Sequence, residues 1–453
     1  MALFDNATKL WIEELAQQES VPKSRVSARC LFLVSGCDRE TPAQPLRCVD
    51  TFYQRSYTRP PLTNGRPFAR SAMRTLPFQN KCASVLVRFS IVSAILLSAF
   101  TLATYAQDVP TYQVDPLWPL ELPNNWIIGQ VGGLAVDRED HIWVLQRPAS
   151  NTVDEIGASL TPPRSQCCIA APPVLVFDKQ GHLLHSWGGP GEGFDWPKTE
   201  HGIYVDQDDN VWIGGNGPTD RHILKFKKDG HFLMQIGRPS SDPPDSLRTD
   251  ILGRPAGFEV DSQAHEVYVA DGYMNKRVIV FDSDTGAFKR LWGAYGNPPN
   301  DNDPGEYNPA APLDQQFRNP VHCVHISRDG LVYVCDRGND RMQVFTKQGK
   351  FVKEFTLRPE TRGIGSVWQF TFSTDEHQKF LLVADGENNV IWTLRRDDGA
   401  ALGQTGHNGR NAGQFHWLHQ LVSDSRGDLY TGEVDTGKRI QKFVLVNRGK
   451  SQK

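Results

Sequence analysis

The sequence predicts an all-β fold, a six-bladed β-propeller, and three observations carry that prediction. A pattern of two short strands around a polar turn recurs six times along the chain. Most copies continue into a third and a fourth strand. The last copy stops one strand short, while an unclaimed strand precedes the first copy.

The copies run GLAVDREDHIWVLQR from Gly133, GIYVDQDDNVWIGGN from Gly202 and GFEVDSQAHEVYVADGY from Gly257. They return as CVHISRDGLVYVCDR from Cys323, VWQFTFSTDEHQKFLLVADGE from Val367 and QLVSDSRGDLYTGE from Gln420. Each is a hairpin rich in β-branched and aromatic residues, with an Asp or Ser closing its first strand. Further strands follow as HILKFKKDGHFLMQIG in the second copy, RVIVFDSDTGAFKRLWG in the third and RMQVFTKQGKFVKEF in the fourth. Four antiparallel strands per repeat describe propeller blades, here of the NHL-repeat type. The sixth copy ends on IQKFVLV from Ile440, and the spare strand is TYQVDPLW from Thr111. Pairing these two closes the ring and removes an open sheet edge.

Composition agrees with this reading. The 453 residues include 39 Gly and 30 Pro, the punctuation that many short strands require. Net charge is −3 with 22 % charged residues, so there is no basic stripe to neutralise phosphates and no nucleic-acid partner is expected.

The first hundred residues follow other rules. An apolar stretch from Phe89 to Ala103 follows Arg74, Lys81 and Arg88 and ends in small residues before Gln107. This is the pattern of a secretory signal peptide, and the stretch is short for a span of about 20 residues. The chain therefore divides into residues 1–72, a non-native or disordered extension; 73–106, a signal peptide starting at Met73; and 107–453, the propeller. The mature protein is expected to be secreted or periplasmic, with no stable membrane insertion after cleavage. Export permits disulfides. Cys323 and Cys335 are equidistant from the Asp329-Gly330 turn, so they face each other as a disulfide or as free buried thiols.

Aligned on the residue that closes the first strand, the copies reveal a second pattern. Five positions before Asp206, Ser327 and Asp424 stand His201, His322 and His419; the other copies carry Gly132, Ala256 and Trp368 there. First strands line a propeller's channel, so residues on alternate blades sit about 120° apart and point at one another. Three imidazoles with an open fourth position suit a catalytic Zn²⁺, and such sites also suit copper or iron. Arg147 and Arg337 follow the second strands of copies one and four at matched places, and Tyr273 follows that of copy three. Guanidinium forks beside a metal suggest a carboxylate-bearing substrate, small molecule or peptide.

These residues resemble the peptidyl-α-hydroxyglycine α-amidating lyase family, over most of Gln130 to Phe443. The segments that carry the resemblance are GQVGGLAVD with Arg147, HGIYVDQDDNVW, DGYMNKRV, NPVHCVHIS with DRGNDR, and HQLVSD. The resemblance implies zinc on His201, His322 and His419, with Tyr273 as catalytic base. It makes Arg147 and Arg337 the residues that hold substrate and assist Tyr273. It also implies a structural calcium in the channel, at the backbone of Leu134 and Ile203. The family's acidic calcium ligand after the third histidine is Gln420 here, Trp417 replaces a methionine, and Met274 replaces a cysteine.

The implied reaction splits the C–N bond of a carbinolamide into an amide and glyoxylate. A phenol is a weak base at neutral pH, and a nearby Zn²⁺ and arginine would favour its phenolate. The alternative is a secreted propeller that binds a peptide, glycan or protein and catalyses nothing. A calcium lactonase ranks below both, because its sites use carboxylates where this channel offers imidazoles.

Overall fold

The computed structural model describes residues 109–447, so the stretches read as an upstream extension and a signal peptide lie outside the described residues. Six four-stranded antiparallel sheets form the blades of a propeller. Their innermost strands are Gln130–Val136, Glu200–Val205, Gly257–Asp261, Val321–Ile326, Gln369–Phe372 and Leu418–Ser423. In blade six the outermost strand is Thr111–Asp115, hydrogen-bonded to Ile440–Asn447, so the ring closes between the two ends of the repeat region. A two-residue parallel pair, Trp126–Ile127 with Ile169–Ala170, lies outside the blades.

The aspartate that closes the first strand is chosen for its two oxygens. Asp206 accepts the backbone N–H of Asp208 and Asn210 on one oxygen, and the Trp212 indole N–H at 2.9 Å on the other. Asp137 and Trp143 repeat the arrangement in blade one. One side chain thus fixes the turn and locks it to the second strand, satisfying donors that a buried hairpin would otherwise leave unpaired.

The core lies between the blades. Six hydrophobic clusters each combine residues of two neighbouring blades, one cluster per junction around the ring. The junction of blades six and one joins Tyr430 and Ile440 to Val131 and Val144, and Trp118 seals it against Phe177 and Tyr430. Burying an aliphatic or aromatic side chain contributes roughly 1.5–3 kcal/mol, so a missing blade would leave two apolar faces open. Cys323 and Cys335 are directly opposite in blade four and form a disulfide.

One feature of the inner strands decides where the histidines point. In blades one, two, four and six the register slips by one residue, leaving Gly132, His201, His322 and His419 as the extra residue of a β-bulge. Ala256 and Trp368 occupy the same place in blades three and five, each sending its N–H to the residue that already faces its successor. A bulge bends the strand and re-aims one side chain. Blade one carries glycine there for lack of room, since a Cβ on Gly132 would meet the Glu200 carbonyl oxygen at 2.3 Å.

Candidate metal centre

The three bulge histidines meet on the channel axis. All are buried, and one ring nitrogen from each lies within 4.8 Å of the others. His201 Nε2 is 3.1 Å from His419 Nε2. Tyr273 joins them, its Oη 2.8 Å from His201 Nε2 and 3.1 Å from His322 Nε2. The far nitrogens are tied to the backbone: His201 Nδ1 donates to Ala256 O at 2.7 Å and His322 Nδ1 to Trp368 O at 2.5 Å. A carbonyl only accepts, so both rings carry their proton on Nδ1 and present an Nε2 lone pair to the axis.

His419 is held differently. The Gln420 amide nitrogen donates to Gly132 O at 2.9 Å and stands 3.2 Å from His419 Nδ1. That nitrogen therefore faces a donor, and the His419 proton sits on Nε2, toward His201. A metal held by His419 Nε2 would require the other neutral tautomer, with the proton moved to Nδ1.

The donor set fits zinc. Burial, with charge from Arg147 for His201, Arg337 for His322 and His201 for His419, holds all three imidazoles well below the usual histidine range, hence neutral. The 3.1 Å separation approaches the edge, about 3.3 Å, of a tetrahedron with zinc–nitrogen bonds of ~2 Å. These depressed values also predict a pH response. In metal-stripped protein the folded state refuses protons that the unfolded chain accepts below pH ~6.5. Stability is therefore complete above that pH and falls as pH drops through it, by up to about 1.4 kcal/mol per pH unit for each histidine. Denaturant midpoints between pH 7 and 5 check this, and a midpoint insensitive to all three His→Gln changes at pH 5 contradicts it.

Three arginines surround Tyr273. Arg337 is buried, its guanidinium 5.8 Å from the Tyr273 ring and 4.4 Å from that of Trp368. Arg147 reaches the Glu200 carbonyl and Gln130 Oε1, both at 2.7 Å, and acts electrostatically on Tyr273 and His201. Burial lowers both guanidinium pKa values, with Tyr273 opposing the shift. Arg254, 6.0 Å from the same ring, escaped the sequence reading. It precedes the third repeat in a connection, where no repeat position marks it. Trp368 was assigned only as a blade without histidine, yet its ring packs on His322 and His419.

Beyond the histidines along the channel lies a cavity of about 160 Å³, whose lining includes the three residues assigned to calcium, Leu134, Ile203 and Gln420. Its donors do not fit that ion. Gln420 Oε1 accepts from Gln369 Nε2 at 3.3 Å, and Gln369 Oε1 accepts from His325 Nε2 at 2.7 Å and from the Phe370 N–H. His325 Nδ1 bonds Glu259 at 2.7 Å, and that carboxylate also takes the Ile326 N–H. No acidic residue lines the cavity, whereas calcium takes six to eight oxygens and gains affinity with their charge. Melting temperatures in a calcium chelator and in millimolar calcium should agree within about 1 °C, because only an ion that binds the folded state stabilises it. A rise of several degrees with calcium would contradict this.

No protein-family model matches the chain. NHL repeat-containing protein 3 of Mus musculus is 30 % identical over 285 residues, covering 60 % of this chain and 73 % of that protein. The chain belongs to this family of NHL-repeat propellers. It is also similar to peptidyl-glycine alpha-amidating monooxygenase B of Xenopus laevis, 30 % identical over 262 residues, 55 % of this chain but 26 % of that protein. The chain thus spans about a quarter of that relative's length. A probable peptidyl-alpha-hydroxyglycine alpha-amidating lyase of Caenorhabditis elegans is 25 % identical over 48 % of this chain and 56 % of its own. Among solved structures, virginiamycin B lyase from Staphylococcus aureus aligns with a TM-score of 0.42 at 15 % identity, over 74 % of this chain and 88 % of that one.

Proposed function

We propose that this protein is an exported, zinc-dependent lyase that splits the C–N bond of a carbinolamide acid to release an amide and glyoxylate. One observation carries the reading: a tyrosine hydroxyl stands within hydrogen-bond reach of two of three convergent, neutral histidines, with unpaired arginines around it. The amidating lyases among the relatives support the reaction class.

His201, His322 and His419 would hold the metal. When bound, zinc supplies Lewis acidity toward the substrate hydroxyl or carboxylate. Arg147 and Arg337 bind the substrate carboxylate and turn the carbinol carbon toward Tyr273. The Tyr273 oxygen takes the hydroxyl proton; the oxygen's electrons form the carbonyl of glyoxylate as the C–N pair leaves with nitrogen. The same oxygen returns the proton to that nitrogen, giving the neutral amide, so no outside acid or oxidant is required. Trp368 and the buried histidine rings keep bulk water from the reacting carbon.

Release of glyoxylate from α-hydroxyhippurate, a minimal carbinolamide acid, tests the proposal with zinc-loaded protein. Release above the buffer rate is expected. Its absence, with zinc in place, moves the protein to a binding propeller.

A further inference from the structure

The positive charge around Tyr273 exceeds what one carboxylate requires. Other arginines set into the blades are neutralised: Arg277 by Asp271 at 2.8 Å, Arg341 by Asp336 and Arg439 by Glu433, both at 2.7 Å. Arg221 lacks such a partner but is committed to the carbonyls of Leu252, Asp242 and Pro243. Arg147, Arg254 and Arg337 differ, for none forms an ion pair among the described residues. Glu200, Asp435 and Glu387 act on Arg147 and Arg337 only at longer range.

Arg254 is the least accounted for of the three. Its Nε donates to Asn216 O at 2.6 Å, and neither terminal nitrogen has a protein partner among the described residues. Its backbone holds φ +61°, a conformation costly for a residue with a Cβ. Arg337 Nε is buried with no hydrogen-bond partner at all. Arg337 is buried and Arg147 and Arg254 are half-buried, so leaving their charges without a counter-ion is costly, and all three act on one side chain, Tyr273. The terminal nitrogens of Arg254 and Nε of Arg337 are donors without acceptors among the described residues, which suits an anion that arrives with the ligand.

We propose that Arg254 completes an anion site for a substrate with two negative groups. The first is the carboxylate on the reacting carbon, and this part rests on the lyase reading. The second is a carboxylate on the acyl portion, so the preferred substrate class is an N-acyl-α-hydroxyglycine whose acyl group is itself acidic. Arg254 is then a specificity-determining residue, and Arg147 and Arg337 serve the first group.

Binding of two unreactive acids separates this proposal from the lyase reading. Hippurate carries one carboxylate and 4-carboxyhippurate two, and neither has the hydroxyl that a lyase needs. Isothermal titration should show the diacid binding about 10- to 100-fold more tightly, the range of one added charge-assisted contact. Arg254→Gln should remove that preference while leaving hippurate unchanged, and Arg254→Lys, which keeps the charge, should restore part of it. Equal affinity for the two acids in the unmodified protein overturns the proposal, as does a loss in Arg254→Gln that is the same for both. Absence of glyoxylate release from α-hydroxyhippurate sinks the lyase reading alone and leaves the titration to stand.

Discussion

Tyr273→Phe is expected to lower turnover of α-hydroxyhippurate by about 10²- to 10⁴-fold, the contribution of a positioned general base. The substitution removes one oxygen and little else. Phenylalanine keeps the ring, its edge contact with His201 at a centroid distance of 4.9 Å, and its place beside the arginines. The histidine Nδ1 anchors to Ala256 and Trp368 do not involve the tyrosine, so zinc content should be unchanged. The two quantities measured together are decisive. Turnover unaffected by Tyr273→Phe would keep a lyase but discard this residue as its base, whereas loss of zinc would make it a ligand.

His322→Ala is expected to abolish both metal and turnover. Two imidazoles remain, one fewer than the three protein ligands that catalytic zinc sites use. The blade itself should survive, because residue 322 is the extra residue of a bulge and its neighbours keep their pairing across blade four. The side chain is buried, so a cavity forms, at a cost of about 2–5 kcal/mol for a truncation of this size. Elemental analysis after dialysis against a chelator reads the outcome, with circular dichroism as the check on folding. Retained zinc in a folded variant would remove His322 from the site.

Much of this was legible in the sequence because a propeller repeats itself. Six copies of one hairpin fix six inner strands, and a repeat position read across them becomes a position around the axis. His201, His322 and His419 could therefore be gathered from places more than 90 residues apart without any structure. The closing strand was legible as a deficit at Ile440 and a surplus at Thr111, which pair as expected. The bulge was not legible. It depends on register, and nothing in His201-Gly202 or His419-Gln420 states that one residue of the pair goes unpaired.

What lies between repeats was harder still. Arg254 and Gln130 reach the site from connections or from the start of a strand, where spacing carries no information. The channel cavity failed for another reason. Leu134, Ile203 and Gln420 do line one space, but whether an ion suits it depends on partners elsewhere in sequence. Glu259, His325 and Gln369 take up the side-chain oxygens that calcium would need, and that pairing exists only once blades three, four, five and six are side by side.

If alternate blades supply a metal centre, the purified chain carries metal in proportion to those histidines. About one zinc per chain is expected in the unmodified protein and none in the variant with His201, His322 and His419 all changed to alanine. Zinc at full occupancy in that folded triple variant, or an unmodified protein that neither carries nor takes up zinc, would contradict it.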